Sequence, residues 1–440
     1  MCETRMKQAL ELFGSLKVDE SWTFEGFRRK DITRLTNSYH RYPARFIPQL
    51  VNRLIKLHSK EEDFVCDPFA GGGTALIEGL ILRRQTLGVD INPVAYLITK
   101  TKTTCIEPHK LEQTISKVFT KLDSKTHNPN SIYRIKNSSN CARIKFWFPE
   151  DNINELAHIL SIIEEVDDED IQRFLKCGFS QILKKCSRWG MQSIKPYVEK
   201  GKEIPKPMLL FKRHIKHMVK KNAEFNKVLP EKVRENIAEY AQVHLGDCRN
   251  IPVGDEQISL IVTSPPYVTS YEYADIHQLT MLWLYPDTKF PEFRKKFIGT
   301  QQSKDPPIKE IHSQIATQTI EQLQQKDGKK GYKDAVFNYF AEMQQTIEEF
   351  QRVLKPKGKA AIIIGNTRLD GVNILNAEVI TETALNIGFK LSKVIKRRLP
   401  DGAKFLPTIR DPQTGCFTSN NAKQKEIVYP HEYIVILSKP

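Results

Sequence analysis

A chain of 440 residues with 40% apolar and 27% charged residues has room for two packing units and a well-buried core, and this composition excludes disorder throughout. No window approaches the roughly eighteen uncharged apolar residues of a membrane span, and Met1 to Leu16 lacks an apolar signal core, so a cytoplasmic protein is expected. Lys and Arg outnumber Asp and Glu by 67 to 52, a formal net charge of +15 that attracts polyanions, less so as salt rises. In chain order, "FIPQLVNRLIKLH" (46–58) carries apolar residues at near-helical spacing. It is followed by "DFVCDPFAGGGTALIEGLILRRQTLGVDINPVA", which predicts a strand (64–66), a Gly-rich turn, a helix (74–84) and a strand (86–89) ending on Asp90.

From about 101 to 240 the alternation stops. "NINELAHILSIIEEV" predicts a helix, as does "DEDIQRFLKCGFSQILKKCSRWG", whose Ile171, Phe174, Leu175, Phe179, Ile182 and Leu183 share one face behind an acidic start. Between Lys176 and Lys227 fourteen basic residues face three acids, a local net of +11. The segment reads as a helical insertion with basic loops. Alternation resumes with "AQVHLGDCRNIP" and "ISLIVTSPPY", apolar runs that each close on a polar corner. A helix, a Lys-Pro-Lys-Gly turn and an apolar strand are expected from "YFAEMQQTIEEFQRVLKPKGKAAIIIGNTRL". Another helix and strand follow, and "EYIVILSK" is the last strand; 286–333 and 400–430 read as long loops. The eight cysteines are scattered without a C-x-x-C pair, against a disulfide framework or a zinc site, and no metal is expected.

The chemistry concentrates at strand ends. In "DPFAGGGT" three glycines permit tight turning and close approach of a ligand, and the following helix offers free N–H groups from Thr74. No Gly-Lys-Ser/Thr follows, so a phosphate loop is excluded; Asp67 would sit badly beside a pyrophosphate and suits an ammonium group. Asp90 ends the second strand, where an acid accepts both ribose hydroxyls, or else makes an Asx turn before Asn92 and Pro93. Asp247, closing the third strand, is placed to accept from an adenine amine. Three such acids fit adenosine with a cationic amino-acid tail, S-adenosylmethionine.

With "DPFAGGGT" as a cofactor motif and "TSPPY" (263–267) as a catalytic one, the chain resembles the DNA methyltransferases that modify exocyclic amines. "YHRYPARFIPQLV" resembles that family's additional cofactor motif, with Arg45 where the motif has lysine. The resemblance covers roughly 38–100 and 241–440. It implies a Rossmann-like α/β methyltransferase sheet with a mainly helical inserted recognition region: 1–100 as the cofactor half, 101–240 as target recognition, 241–440 as the catalytic half. It assigns Phe46, Asp67, Phe69, Gly71, Gly73, Thr74, Asp90 and Asp247 to the cofactor. It implies that the Ser264 side chain and the Pro265 carbonyl accept the amine hydrogens, that Pro265 and Pro266 stiffen the corner, and that Tyr267 stacks on a flipped base.

None of the cysteines follows a proline, as carbon methylation of cytosine in the related family would need, and Ser rather than Asp at 264 favours N4 of cytosine over N6 of adenine. The motif order resembles the family's alpha arrangement, which points to the insertion as the double-stranded DNA reader, with Arg188, Lys195, Lys212, Arg213 and Lys216 as candidate contacts. A cognate restriction endonuclease is an expected partner. Alternatives that stay open are N6 of adenine, RNA as substrate, and an inactive nucleic-acid-binding protein. His214 and His217 are expected as surface histidines, and His277 as a packing residue.

Overall fold

The apolar runs that close on polar corners become parallel strands, the central ones buried along most of their length, and each corner frees the backbone from the ladder. The computed structural model describes residues 2–43, 46–124, 139–191, 196–268, 273–300, 310–325, 332–399, 409–410, 426–427 and 431–440. Its main sheet has seven strands: β1 (Phe64–Asp67), β2 (Gln85–Asp90), β3 (Ala241–Leu245), β4 (Ile258–Thr263), β5 (Leu354–Ile364), β6 (Lys390–Arg398) and β7 (His431–Ser438). Their order is β3-β2-β1-β4-β5-β7-β6. The pairs among β1 to β5 are parallel, and β7 runs antiparallel to both β5 and β6. Thr367–Leu369 and Val372–Ile374 form a separate two-stranded ribbon.

Strand order reverses between β1 and β4, so the connections leave in opposite directions and open a crevice at the carboxyl ends of the two strands. The helix Pro48–His58 starts on a proline that is preorganised for N1 and buries Leu50, Val51, Leu54 and Ile55. In Thr74–Ile81 almost every side chain is buried, and Pro93–Thr103 begins where the Asn92 side chain accepts from the Val94 N–H.

Two expectations are corrected. Lys355–Gly358 is not a turn ahead of the strand but a bulge within β5, opposite the register shift between Ile258 and Leu260, with Lys357 at φ +65°. The stretch 286–333 is not simply loop: Phe290–Lys295 and Gln314–Gln325 are helices, the second with Ile315, Ala316, Thr319, Ile320 and Leu323 buried. A loop-like composition hid an amphipathic period. Most of 400–430 lies outside the described residues.

The segment between β2 and β3 holds the helices Pro108–Asp123, Cys141–Trp147, Glu150–Glu164, Glu169–Leu183 and Pro207–Val228. Their apolar faces share one core with Val94, Leu97 and Ile98 of the helix after β2, and with Met281, Leu282 and Trp283 beyond the diproline corner. Each such buried side chain contributes roughly 1.5–3 kcal/mol of transfer free energy, so this insertion is tied to both halves of the sheet domain. Among the described residues no helix is long and apolar enough to cross a membrane.

Candidate active site

β1 delivers Asp67 to the crevice, and the chain then turns back through Gly71 (φ +48°) and Gly73 (φ +75°), conformations that a β-carbon resists. A β-carbon on Gly71 would lie 2.9 Å from Tyr42 Cε1, so the turn is bare where the Tyr42 ring crosses it. Asp67 Oδ1 accepts from Thr263 Oγ1 (2.7 Å) and from the Phe69 N–H (3.1 Å), which ties the end of β1 to the end of β4. Asp90 makes the Asx turn to the Asn92 N–H (2.9 Å) with one oxygen, while the other accepts from the Gly71 N–H (2.8 Å). Burial pushes the Asp67 carboxyl up to about 7, against the pull of the Thr263 and Phe69 hydrogen bonds, and Asp90 up to about 6.

Behind the turn, the helix Pro93–Thr103 sends two donors one helical turn apart: Thr99 Oγ1 to the Gly71 carbonyl (3.1 Å) and Lys102 Nζ to the Gly72 carbonyl (2.9 Å). Lys102 is wholly buried. Asp247, which the sequence places to accept from an adenine amine, is also held by its neighbour. Arg249 reaches it with Nε (2.9 Å), Nη2 (2.6 Å) and its backbone N–H (2.9 Å), so although burial pushes the Asp247 carboxyl up, these bonds hold it below the usual range. A basic neighbour two positions away is visible in the sequence, but its wrapping back is not.

The diproline corner follows β4. Tyr339, buried on the helix Tyr332–Val353, donates its hydroxyl to the Pro266 carbonyl (2.8 Å) and so pins the diproline from outside the cleft. Tyr267 lies over Gly365, where a β-carbon would come within 3.2 Å of Tyr267 Cε2, and its hydroxyl donates to Glu432 Oε1 (3.1 Å).

These parts meet in one open cleft. Phe46, Asp67, Phe69, Gly71, Thr74, Asp90, Asp247, Ser264 and Pro266 line it; Gly73, Pro265 and Tyr267 are not on its wall. The sequence reading missed Tyr42, Ile91 and Cys248, and also Lys296, Phe297 and Ile298, which reach the cleft from the stretch read as loop. Tyr42 lies within "YHRYPARF" and was the findable one. The Cys248 thiol is buried, which pushes it up and makes it a poor nucleophile. His277 is buried and stacks on Tyr42, ring centroids 5.1 Å apart, and burial pushes it down to about 4, where it is neutral.

The two stretches that supply the glycine turn and the diproline corner, residues 4–101 and 258–440, match the sequence profile of the family described as DNA methylase. The chain belongs to the DNA methylase family. It is 28% identical to Type II methyltransferase M.MvaI of Kocuria varians over 94% of each chain. It is 24% identical to Type II methyltransferase M.BsoBI of Geobacillus stearothermophilus over 84% of this chain and 83% of that one. A TehB-like SAM-dependent methyltransferase from Corynebacterium glutamicum aligns over 89% of this chain and 87% of its own at 7% identity, with a TM-score of 0.29, too loose to carry an argument.

S-adenosyl-L-methionine is the cofactor of this DNA methylase. The residues present fit it: two carboxylates at adjacent strand ends, both on the cleft wall, suit a ligand with a cationic tail and hydroxyl donors.

The basic insertion of the DNA methylase divides its cations differently from the sequence expectation. Arg188, a candidate DNA contact, also serves as an internal clamp: its Nη1 donates to the carbonyls of Lys145 (2.8 Å), Phe146 (2.8 Å) and Phe148 (3.0 Å) at the end of the helix Cys141–Trp147. Lys212 is likewise paired, with Asp123, and lies 5.5 Å from the centroid of the Phe119 ring. Arg213 and Lys216 are exposed on the helix Pro207–Val228, and Lys195 lies outside the described residues, as does Arg45. His214 departs from the surface expectation: mostly buried, it pairs with the Tyr39 carbonyl (2.8 Å), while the exposed His217 reaches Ser38 Oγ (3.0 Å).

Proposed function

We propose that this DNA methylase transfers a methyl group to N4 of a flipped cytosine at a specific site in double-stranded DNA, as the modification enzyme of a Type II restriction–modification system. The observation that carries the reading is the shared cleft, with Ser264 and Pro266 on the same wall system as Asp67, Gly71 and Asp90. Support for the Type II setting comes from two relatives of that description that align over most of their length.

When bound, S-adenosylmethionine supplies a methyl group made electrophilic by its sulfonium. The chain's own residues do the rest. Asp67, once ionised, faces the cationic tail, Asp90 accepts from the ribose hydroxyls, and Phe46 and Phe69 provide apolar wall. The amine of a base is a poor nucleophile because its lone pair is delocalised into the ring. The Ser264 side chain and the Pro265 carbonyl accept its hydrogens, which lets the nitrogen become more tetrahedral. Fixed proline φ angles and the Tyr339 bond to the Pro266 carbonyl leave little to reorganise at reaction. Tyr267 stacks on the extruded base and offsets part of the few kcal/mol that unstacking costs. The buried Cys248 thiol plays no covalent part, so the transfer is direct.

Residues 101–240 provide target recognition, with the exposed Arg213 and Lys216 on phosphates. Incubating the protein with radiolabelled cofactor and duplex DNA of mixed sequence, then digesting to nucleosides, tests the proposal. Label is expected in N4-methylcytosine. Label in N6-methyladenine would reverse the inference from Ser264, and label confined to RNA would remove the DNA assignment.

A further inference from the structure

We infer that Glu432, braced by Arg397, is a positioning residue that fixes the ring plane of Tyr267 before a base arrives; the inference rests on the stacking role proposed for Tyr267. β7 lies between β5 and β6, and its register sets Glu432 directly opposite Arg397. The Arg397 guanidinium holds Glu432 Oε2 with both Nη2 (2.6 Å) and Nε (3.1 Å), two charge-assisted bonds that anchor this oxygen and leave the other free to face Tyr267. Its third arm, Nη1, donates to the Trp22 carbonyl (3.2 Å), so the guanidinium is itself anchored to the N-terminal segment. The pair is little exposed, 3% for the Arg397 side chain and 16% for that of Glu432. Oε1 is then left to accept from the Tyr267 hydroxyl at 3.1 Å.

The other side of the ring is set by Gly365 at the end of β5. A β-carbon there would lie 3.2 Å from Tyr267 Cε2 and 3.4 Å from the His431 carbonyl, so the ring rests on bare backbone. A tyrosine has two side-chain torsions; contact with backbone beneath and an anchored hydroxyl at the tip restrain both. Ordering the ring in advance removes a cost that a stacking partner would otherwise meet on base binding. This gives a physical reason for tyrosine rather than phenylalanine at 267: the hydroxyl reads the carboxylate, while the ring face is what the base uses. A buried ion pair is a weak stabiliser compared with apolar residues of the same volume, so stapling β7 to β6 does not by itself account for it.

The test is a mutant cycle read by single-turnover methyl transfer to unmethylated bacterial genomic DNA with enzyme and cofactor in excess. Y267F removes the hydroxyl and leaves the ion pair intact; E432M/R397M removes both charges together and avoids leaving one buried alone. Each is expected to slow the single-turnover rate about tenfold, as for loss of a hydrogen bond to a charged group, with affinity for S-adenosylhomocysteine unchanged. The triple variant should be no slower than either parent, because both changes cut the same link. Additive slowing in the triple variant, or a wild-type rate in Y267F, would overturn the inference. Should E432M/R397M not fold, the Y267F rate still decides. Y267A separates the two levels. A wild-type rate in Y267A sinks the stacking role itself, whereas an inactive Y267A beside a fully active Y267F sinks only the part given to Glu432.

Discussion

Asp67 and Asp90 show how one residue type acquires two properties from its surroundings. Asp67 is wholly buried and Asp90 only partly so, and burial raises both carboxyls, to about 7 and about 6, because the cleft offers less stabilisation to the ion than water does. A carboxyl raised in the folded state is penalised as it ionises. These two carboxyls should therefore contribute a loss of stability as pH climbs from about 4 to about 7, and for Asp67 that contribution is read as the difference between wild-type and Asp67→Asn thermal melts across that range. Cofactor binding should run the other way: affinity for S-adenosylhomocysteine, by titration calorimetry, is expected to rise as the two groups shed their protons, and Asp67→Asn should flatten the upper part of that rise. An unchanged slope in Asp67→Asn would remove Asp67 from the tail site. At Asp90 the expected outcome is asymmetric with that at Tyr267. Asp90→Ala weakens the cofactor about tenfold or more, since a charged acceptor is removed, whereas Tyr267→Ala cuts turnover and spares the cofactor.

Among the elements, the helix Pro93–Thr103 has two duties. Its apolar face joins the core of the insertion, and its Thr99 and Lys102 hold the carbonyls of the glycine turn. Lys102→Met retains most of the volume and leaves the buried Gly72 carbonyl without that donor, which costs about 1–3 kcal/mol. Both a lower melting temperature and weaker cofactor binding are expected; a variant with only the first effect would show that the turn keeps its shape without Lys102. The sequence reading stopped at Asp90 and did not place this helix, although Asn92 and Pro93 are local start signals for it. That a lysine within it is wholly buried was not legible, since burial depends on Cys177 and the other insertion side chains packing over it.

The whole molecule carries +15, and the insertion concentrates it. Counterion release makes DNA affinity fall with salt, and removing one phosphate-binding cation lowers the log–log slope by about one. Arg213→Ala and Lys216→Ala should each do so in anisotropy titrations over a range of salt. Arg188→Ala should leave the slope unchanged and lower the melting temperature instead, because its guanidinium closes a helix end. A reduced slope for Arg188→Ala would return it to the DNA surface.

Sequence alone settles the parts whose causes are local. A strand that stops at Asp67, a turn that needs glycine, a diproline that cannot stay in a sheet and the periods of the helices all follow from backbone geometry within a few residues. The folded chain was needed to show which cations are used internally, that Asp247 is held by Arg249, and that Lys296 to Ile298 reach the cleft wall. It was needed, too, for the meeting of Glu432 and Arg397 beneath Tyr267. Those outcomes depend on partners tens to hundreds of residues away or on how a side chain folds back, and no short-range pattern encodes such a meeting.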